Sequence, residues 1–216
     1  MICKATWSGR RFLVVGLVVA FAAACKSGSE EPLPAPGFGM LSGQTVLILP
    51  VQYVRSVPGG WVGGAGSARA AARQADVEIG FALAEQGGRA IWVTPDQQTE
   101  ALRRRPSIEV NLHMLGADDL RSQGEKARHV RDPLYGEIRK LAALFDTRYA
   151  VLPLEIVYEQ AGEGEESRLA IRTFLLDARA GTVLWYGHVR GSSDQPPAAP
   201  GALALLAQAF AAQVSP

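Results

Sequence analysis

Two kinds of hydrophobic patterning alternate along this chain, and their order restricts the fold more than any other feature. Thr45–Val54 (TVLILPVQYV) is a dense apolar run with β-branched residues, the signature of a strand buried on both faces. Ala68–Gln86 then places Ala72, Ala75, Ile79, Ala82 and Leu83 on one helical face against Arg73, Asp76 and Glu85. Ser67 suits its N-cap, and Gly87-Gly88 ends it. Ala90–Thr94 (AIWVT) reads as a second buried strand, stopped by Pro95, and Asp96–Arg105 as a helix that ends before Pro106. Asp132-Pro133 opens a further helix whose core face is Leu134, Ile138, Leu141, Ala142 and Phe145. Tyr149–Tyr158, Leu169–Leu176 and Val183–Val189 are strands, the last two joined by a hairpin turn over Asp177–Thr182. Pro200–Val214 is a closing Ala/Leu-rich helix.

The resulting order, β-α-β-α-α-β-β-β-α, predicts an α/β fold: a single mixed sheet of about five strands with helices packed on it. Ser107–Met114 sets Ile108, Val110, Leu112 and Met114 in strict alternation with Glu109, Asn111 and His113, which fits either a strand or an extended loop.

The first 24 residues have a different purpose. Lys4, Arg10 and Arg11, with no acid among residues 1–11, precede a 13-residue apolar run over 12–24. A spanning helix needs about 20 such residues; a basic segment before a short apolar one is the layout of an export signal. The run ends Ala22-Ala23-Ala24-Cys25, which resembles the lipobox of bacterial lipoproteins. That resemblance implies cleavage before Cys25 and lipid on its sulfur, with several acyl chains for stable anchoring. Residues 25–43, rich in Pro, Gly and Ser, form a flexible tether, and 44–216 form the α/β domain. Lys26 after the cysteine favours sorting to the outer membrane with the domain facing the periplasm.

Composition then removes whole classes of function. With 48% hydrophobic and 20% charged residues, the chain is neither disordered nor polytopic. Its formal net charge of +1 gives no reason to expect nucleic acid. Cysteines occur only at 3 and 25, so neither a disulfide scaffold nor a Cys-rich zinc site is expected. No HExxH, CxxC or GxSxG spacing occurs, and no metal, cofactor or enzymatic activity is predicted.

Two stretches are candidate contacts for a partner or ligand. Gly59–Gly66 (GGWVGGAG) links the first strand to the first helix, where phosphates are often held, yet it lacks the Gly-Lys-Ser/Thr of a P-loop. Its Gly60, Trp61, Gly63 and Gly64 read as a contact loop with an aromatic anchor or, as the alternative, as a small-ligand or nucleotide site. Arg103-Arg104-Arg105 lies in a segment, 101–140, with nine basic and six acidic residues. That segment is a solvated face or a docking face.

The hairpin FLLDARAGTVLW (174–185), the opening VLILP strand, the Ala-rich helix before AIWVTP and the run LAALFDTRYAVLPLEI resemble one envelope superfamily. It comprises the curli assembly and transport lipoproteins, the TolB amino-terminal domain, and small lipoproteins such as the penicillin-binding-protein activator. The resemblance implies a non-catalytic lipoprotein acting by contact with an envelope protein, or as a homo-oligomer. Curli-type pores insert long amphipathic hairpins, for which this chain offers only Ser107–Met114, so the anchored members without a pore are the nearer likeness.

Overall fold

In a computed structural model the described residues are 38–86, 88–160, 167–192 and 195–215. The predicted signal segment 1–24, Cys25, tether residues 26–37 and Gly87 lie outside them. Eleven elements follow in order: β1 (Thr45–Ile48), β2 (Tyr53–Val54), α1 (Ala68–Gln86), β3 (Ile91–Val93), α2 (Pro95–Arg103), α3 (Asp118–Gln123), α4 (Leu134–Leu144), β4 (Tyr149–Glu159), β5 (Arg168–Asp177), β6 (Thr182–Arg190) and α5 (Ala202–Val214). The sheet runs β3-β1-β4-β5-β6, with β2 also paired to β4. β1 is parallel to β3 and β4, and β2 is parallel to β4. β4, β5 and β6 are antiparallel. The predicted mixed sheet is therefore present, with one strand more than the five expected.

Helices cover both faces of the sheet, as parallel strands require. On one face the small residues Ala71 and Ala75 of α1 admit close approach of α5, and Ile79, Leu83, Leu203, Leu206 and Phe210 close over Val46, Ile48, Val151 and Leu175. On the other, Leu120 of α3 and Leu134, Ile138 and Leu141 of α4 pack on Leu47, Leu49, Leu152 and Phe174. Each fully buried side chain of this size contributes roughly 1.5–3 kcal/mol. Trp185 is buried on the α5 side, edge-on to Phe38 at 5.3 Å between ring centroids. Gly187 has no Cβ because one would sit 2.3 Å from the Trp185 ring.

Helix α2 starts at Pro95, one residue earlier than predicted, because Thr94 and Gln97 form a capping box that seats proline at the first helical position. Gln98, fully buried on α2, donates from Nε2 to the Ile48 carbonyl at 2.7 Å and the Val93 carbonyl at 2.9 Å. It thereby closes the carboxyl ends of β1 and β3.

One expectation changes and one open alternative is decided. Thr45–Val54 is two strands: five steps from Ile48 to Tyr53 face four on β4, from Val151 to Glu155. Pro50 has no N–H for the ladder, and the Val51 N–H donates instead to Asp76 Oδ1 of α1 at 2.7 Å. Ser107–Met114 takes the loop alternative. Ile108, Val110 and Leu112 do turn inward, but Gln52 holds the segment through the Leu112 carbonyl and the Leu115 N–H, both at 3.0 Å.

The hairpin turn is built by Asp177. Its Oδ1 accepts from the N–H groups of Arg179 at 3.1 Å and Ala180 at 2.9 Å, while Arg148 Nε donates to Oδ2 at 2.7 Å. Burial opposes ionisation of this carboxyl, but the Ala180 N–H and Arg148 outweigh it and hold its pKa below the ordinary value. Asp177→Ala is expected to cost about 1–2 kcal/mol in denaturant unfolding, because the N–H groups of Arg179 and Ala180 and the partly exposed Arg148 guanidinium lose their shared acceptor.

Asp76 is the opposite case. Burial raises its pKa to about 8; the Val51 N–H works against that and Asp96 adds to it. The folded chain thus holds a proton that the unfolded chain releases near pH ~4. The associated stability is complete below that pH and is lost as pH rises toward 8. Asp76→Asn should flatten the fall in melting temperature between pH ~5 and ~8 and raise it at the upper end, read by thermal melts across that range.

Candidate interaction surface

Simple alternation along β4 would set Glu155 on the opposite face from Leu152. The ladder to β5 breaks that alternation: Leu152 pairs with Phe174 and Pro153 with Thr173, whereas Glu155 pairs with Arg172. Leu154 is the extra residue of a β-bulge, which shifts side-chain phase by one. Glu155 thereby shares the face of Leu152, in a cross-strand row with Arg172 of β5 and His188 of β6.

Three guanidinium groups converge on this carboxylate, which is fully buried. Arg55, just past β2, donates from Nε to Oε1 at 2.7 Å. Arg121 of α3 donates to the same oxygen from Nη2 at 2.6 Å and Nε at 3.2 Å. Arg172 reaches Oε2 from Nη1 at 3.1 Å. Burial alone would raise the Glu155 pKa, but the Arg121 and Arg55 donors more than offset it and the carboxyl titrates below its ordinary range. The surrounding polar groups are ordered in turn. The Arg121 guanidinium lies 4.2 Å over the Tyr53 ring, and the Tyr53 hydroxyl donates to Asp118 Oδ1 at 2.7 Å. Burial and that hydrogen bond push the Tyr53 phenol up to about 12. Farther along the sheet, His188 bridges the Tyr186 hydroxyl at 2.9 Å and Glu159, which also accepts from Arg190 Nε at 2.8 Å.

Chemically this surface suits recognition better than bond making. Guanidinium groups keep their protons at any accessible pH. Glu155 is ionised, buried and held by three donors, so it is poorly placed to take a proton from a substrate. Arg55 keeps more than half of its side-chain surface in solvent, where charge-assisted hydrogen bonds to a partner are available.

The residues singled out in the sequence lie elsewhere. Val57 and Gly60 exchange backbone hydrogen bonds at 2.9 and 3.0 Å, closing a tight turn before Trp61. Gly63 is buried with φ 67°; its N–H donates to the Pro197 carbonyl at 3.0 Å, and a Cβ there would meet Leu203 at 2.8 Å. Gly60 and Gly64 are exposed and Trp61 is half-buried. This loop packs against the segment leading into α5, and its glycines meet demands of backbone geometry and close approach. Arg103 and Arg104 pair with Glu100 at 3.8 and 2.9 Å on the exposed side of α2. Arg105 borders a groove with Ile108, Lys140, Ala143 and Leu144. Cys25 lies outside the described residues. The Glu155 cluster was not anticipated; its one sequence signal is a lone acid inside the otherwise apolar run YAVLPLEIVY.

No family model matches the chain, and no protein of curated function does. Among solved structures, the LpoB C-terminal domain from Salmonella enterica aligns at 16% identity over 70% of this chain and 84% of that one, with a TM-score of 0.38. The PelC dodecamer from Paraburkholderia phytofirmans aligns at 15% identity over 81% and 90%, at 0.35. Lipoprotein GNA1162 from Neisseria meningitidis aligns at 18% over 79% and 97%, at 0.36. Likeness at this level carries no functional inference. None of the three is named for curli transport or TolB, so that part of the resemblance rests on the sequence segments alone.

Removing the carboxylate should expose how much of this face depends on it. Glu155→Ala leaves three guanidinium groups without their shared acceptor and is expected to lower stability by about 1–3 kcal/mol in urea unfolding, because each of the three is partly solvated.

Proposed function

We propose that this chain is an outer-membrane lipoprotein, anchored through Cys25 and facing the periplasm, that works as a non-catalytic assembly, secretion or regulatory module by contacting an envelope protein. The observation that carries this reading is the juxtaposition of an export signal ending in Ala-Ala-Ala-Cys25, a Pro/Gly/Ser-rich tether and a folded α/β domain. Phe38 and Leu41 are buried at the start of the described residues, and about a dozen residues lie between Cys25 and Phe38 in the sequence. Fully extended, those residues reach about 40 Å, enough to carry the domain clear of the bilayer surface.

The surface built around Glu155 is the principal contact face on this reading. The solvent-facing part of the Arg55 guanidinium suits a carboxylate on a partner. Gly60, Trp61, Gly64 and Arg103–Arg105 offer secondary contacts, while Gly63 acts inside the domain. The module needs no cofactor, metal or nucleic acid.

Cys25→Ser tests the anchor. The wild-type protein is expected in the outer-membrane fraction after isopycnic separation, with a mass increment for lipid on its amino-terminal peptide; the variant should be found in the soluble fraction. Equal membrane recovery of both would overturn the anchor, and recovery of the wild type in the inner membrane would overturn the sorting.

A further inference from the structure

Helix α1 carries a face that the fold does not use. Arg69, Arg73, Val77, Phe81 and Glu85 follow one another at intervals of four residues and are all exposed, forming a single stripe along the helix. Val77 and Phe81 are 61% and 62% exposed, among the few large apolar side chains left in solvent. Arg69, Arg73 and Glu85 make no ion pair or side-chain hydrogen bond among the described residues.

The charges also stand at the wrong ends. The first turn of α1 holds no acid and the last turn no base. Basic residues instead crowd the positive end of the helix dipole, and Glu85 sits at its negative end. Gly80, mid-helix, is a further local cost without an internal cause: a Cβ there would meet only Thr94, at an ordinary 3.6 Å. Beside it lies a groove of 340 Å³ lined by Gly80, Ala84, Trp92 and Thr94. The charge placement disfavours the isolated helix along the exposed stripe, whereas Gly80 faces Thr94 to one side of it.

We infer that this stripe is a self-association face on which α1 pairs antiparallel with α1 of a second copy. A two-fold axis crossing the helix at the level of Ile79 sets Val77 against the second copy's Phe81, and Arg73 against the second copy's Glu85. Symmetry repeats both contacts, giving two apolar and two opposite-charge pairs from one stripe, an isologous interface. The antiparallel arrangement also sets each helix dipole against its opposite end. A lipid surface is the poorer occupant, because an exposed glutamate at the apolar end opposes anionic headgroups. A single helix pair is smaller than a standard stable interface, so the dimer is weak in dilution. Confinement to a membrane would strengthen it.

The test is sedimentation velocity of the full chain in detergent over a dilution series, with Arg73→Glu, Glu85→Arg and the double exchange. The wild type should show a concentration-dependent dimer. Each single change should weaken it by about tenfold or more, since it opposes like charges at two symmetric positions. The double exchange should restore it, which separates loss of pairing from loss of folding. A wild type that stays monomeric throughout overturns the inference, as does a dimer indifferent to the single changes or not recovered in the double. Monomers whose binding to phosphatidylglycerol vesicles falls with Phe81→Asp would assign the stripe to a bilayer and overturn it equally.

Discussion

β4 meets three strands at once, and the molecule is arranged around what that requires. β1 and β2 run parallel to one of its edges and β5 runs antiparallel to the other. Nearly every side chain from Ala150 to Val157 is therefore shielded on both faces. Such a strand needs a helical layer on each side, and the chain supplies α1 with α5 on one and α3 with α4 on the other. The same demand makes Glu155 costly, since a charge on a fully covered strand must be compensated in place.

Compensation comes from three distant parts of the sequence. Arg55 follows β2, Arg121 sits on α3 and Arg172 lies on the neighbouring strand. Drawing them to one carboxylate ties together a loop after the parallel edge, the short helix on the α4 side and the antiparallel half of the sheet. The cluster thus joins fold to surface: it offsets the buried charge and also fixes the guanidinium groups whose outer edges meet solvent. Asp177 and Asp76 show the same physics with different outcomes. Backbone N–H groups and Arg148 keep Asp177 charged, whereas at Asp76 burial outweighs the single N–H donor, with Asp96 adding to it, so it stays protonated.

Most of the architecture was legible because periodicity reports burial directly. Helix α1 matched its predicted span, and the β4–β6 strands fell within one residue of theirs at each end. The failures are those of local pattern meeting tertiary geometry. Thr45–Val54 reads as one strand, yet Pro50 and the pull of Asp76 on the Val51 N–H split it. Ser107–Met114, whose alternation left strand and loop open, is the loop, with Gln52 bonded to the Leu112 carbonyl and the Leu115 N–H. The glycines of 59–66, read as a contact or ligand loop, meet a packing need at Gly63 that only the position of Leu203 makes visible.

What the sequence determined by itself is the class of sheet and most of the helices that cover it, since each depends on residues close together in the chain. The tertiary structure alone decided which charges meet. One extra residue in β4, Leu154, turns Glu155 toward Arg121 and Arg172. Composition and spacing carry no mark of that shift, because a bulge is chosen by the register between β4 and β5 rather than by either strand alone.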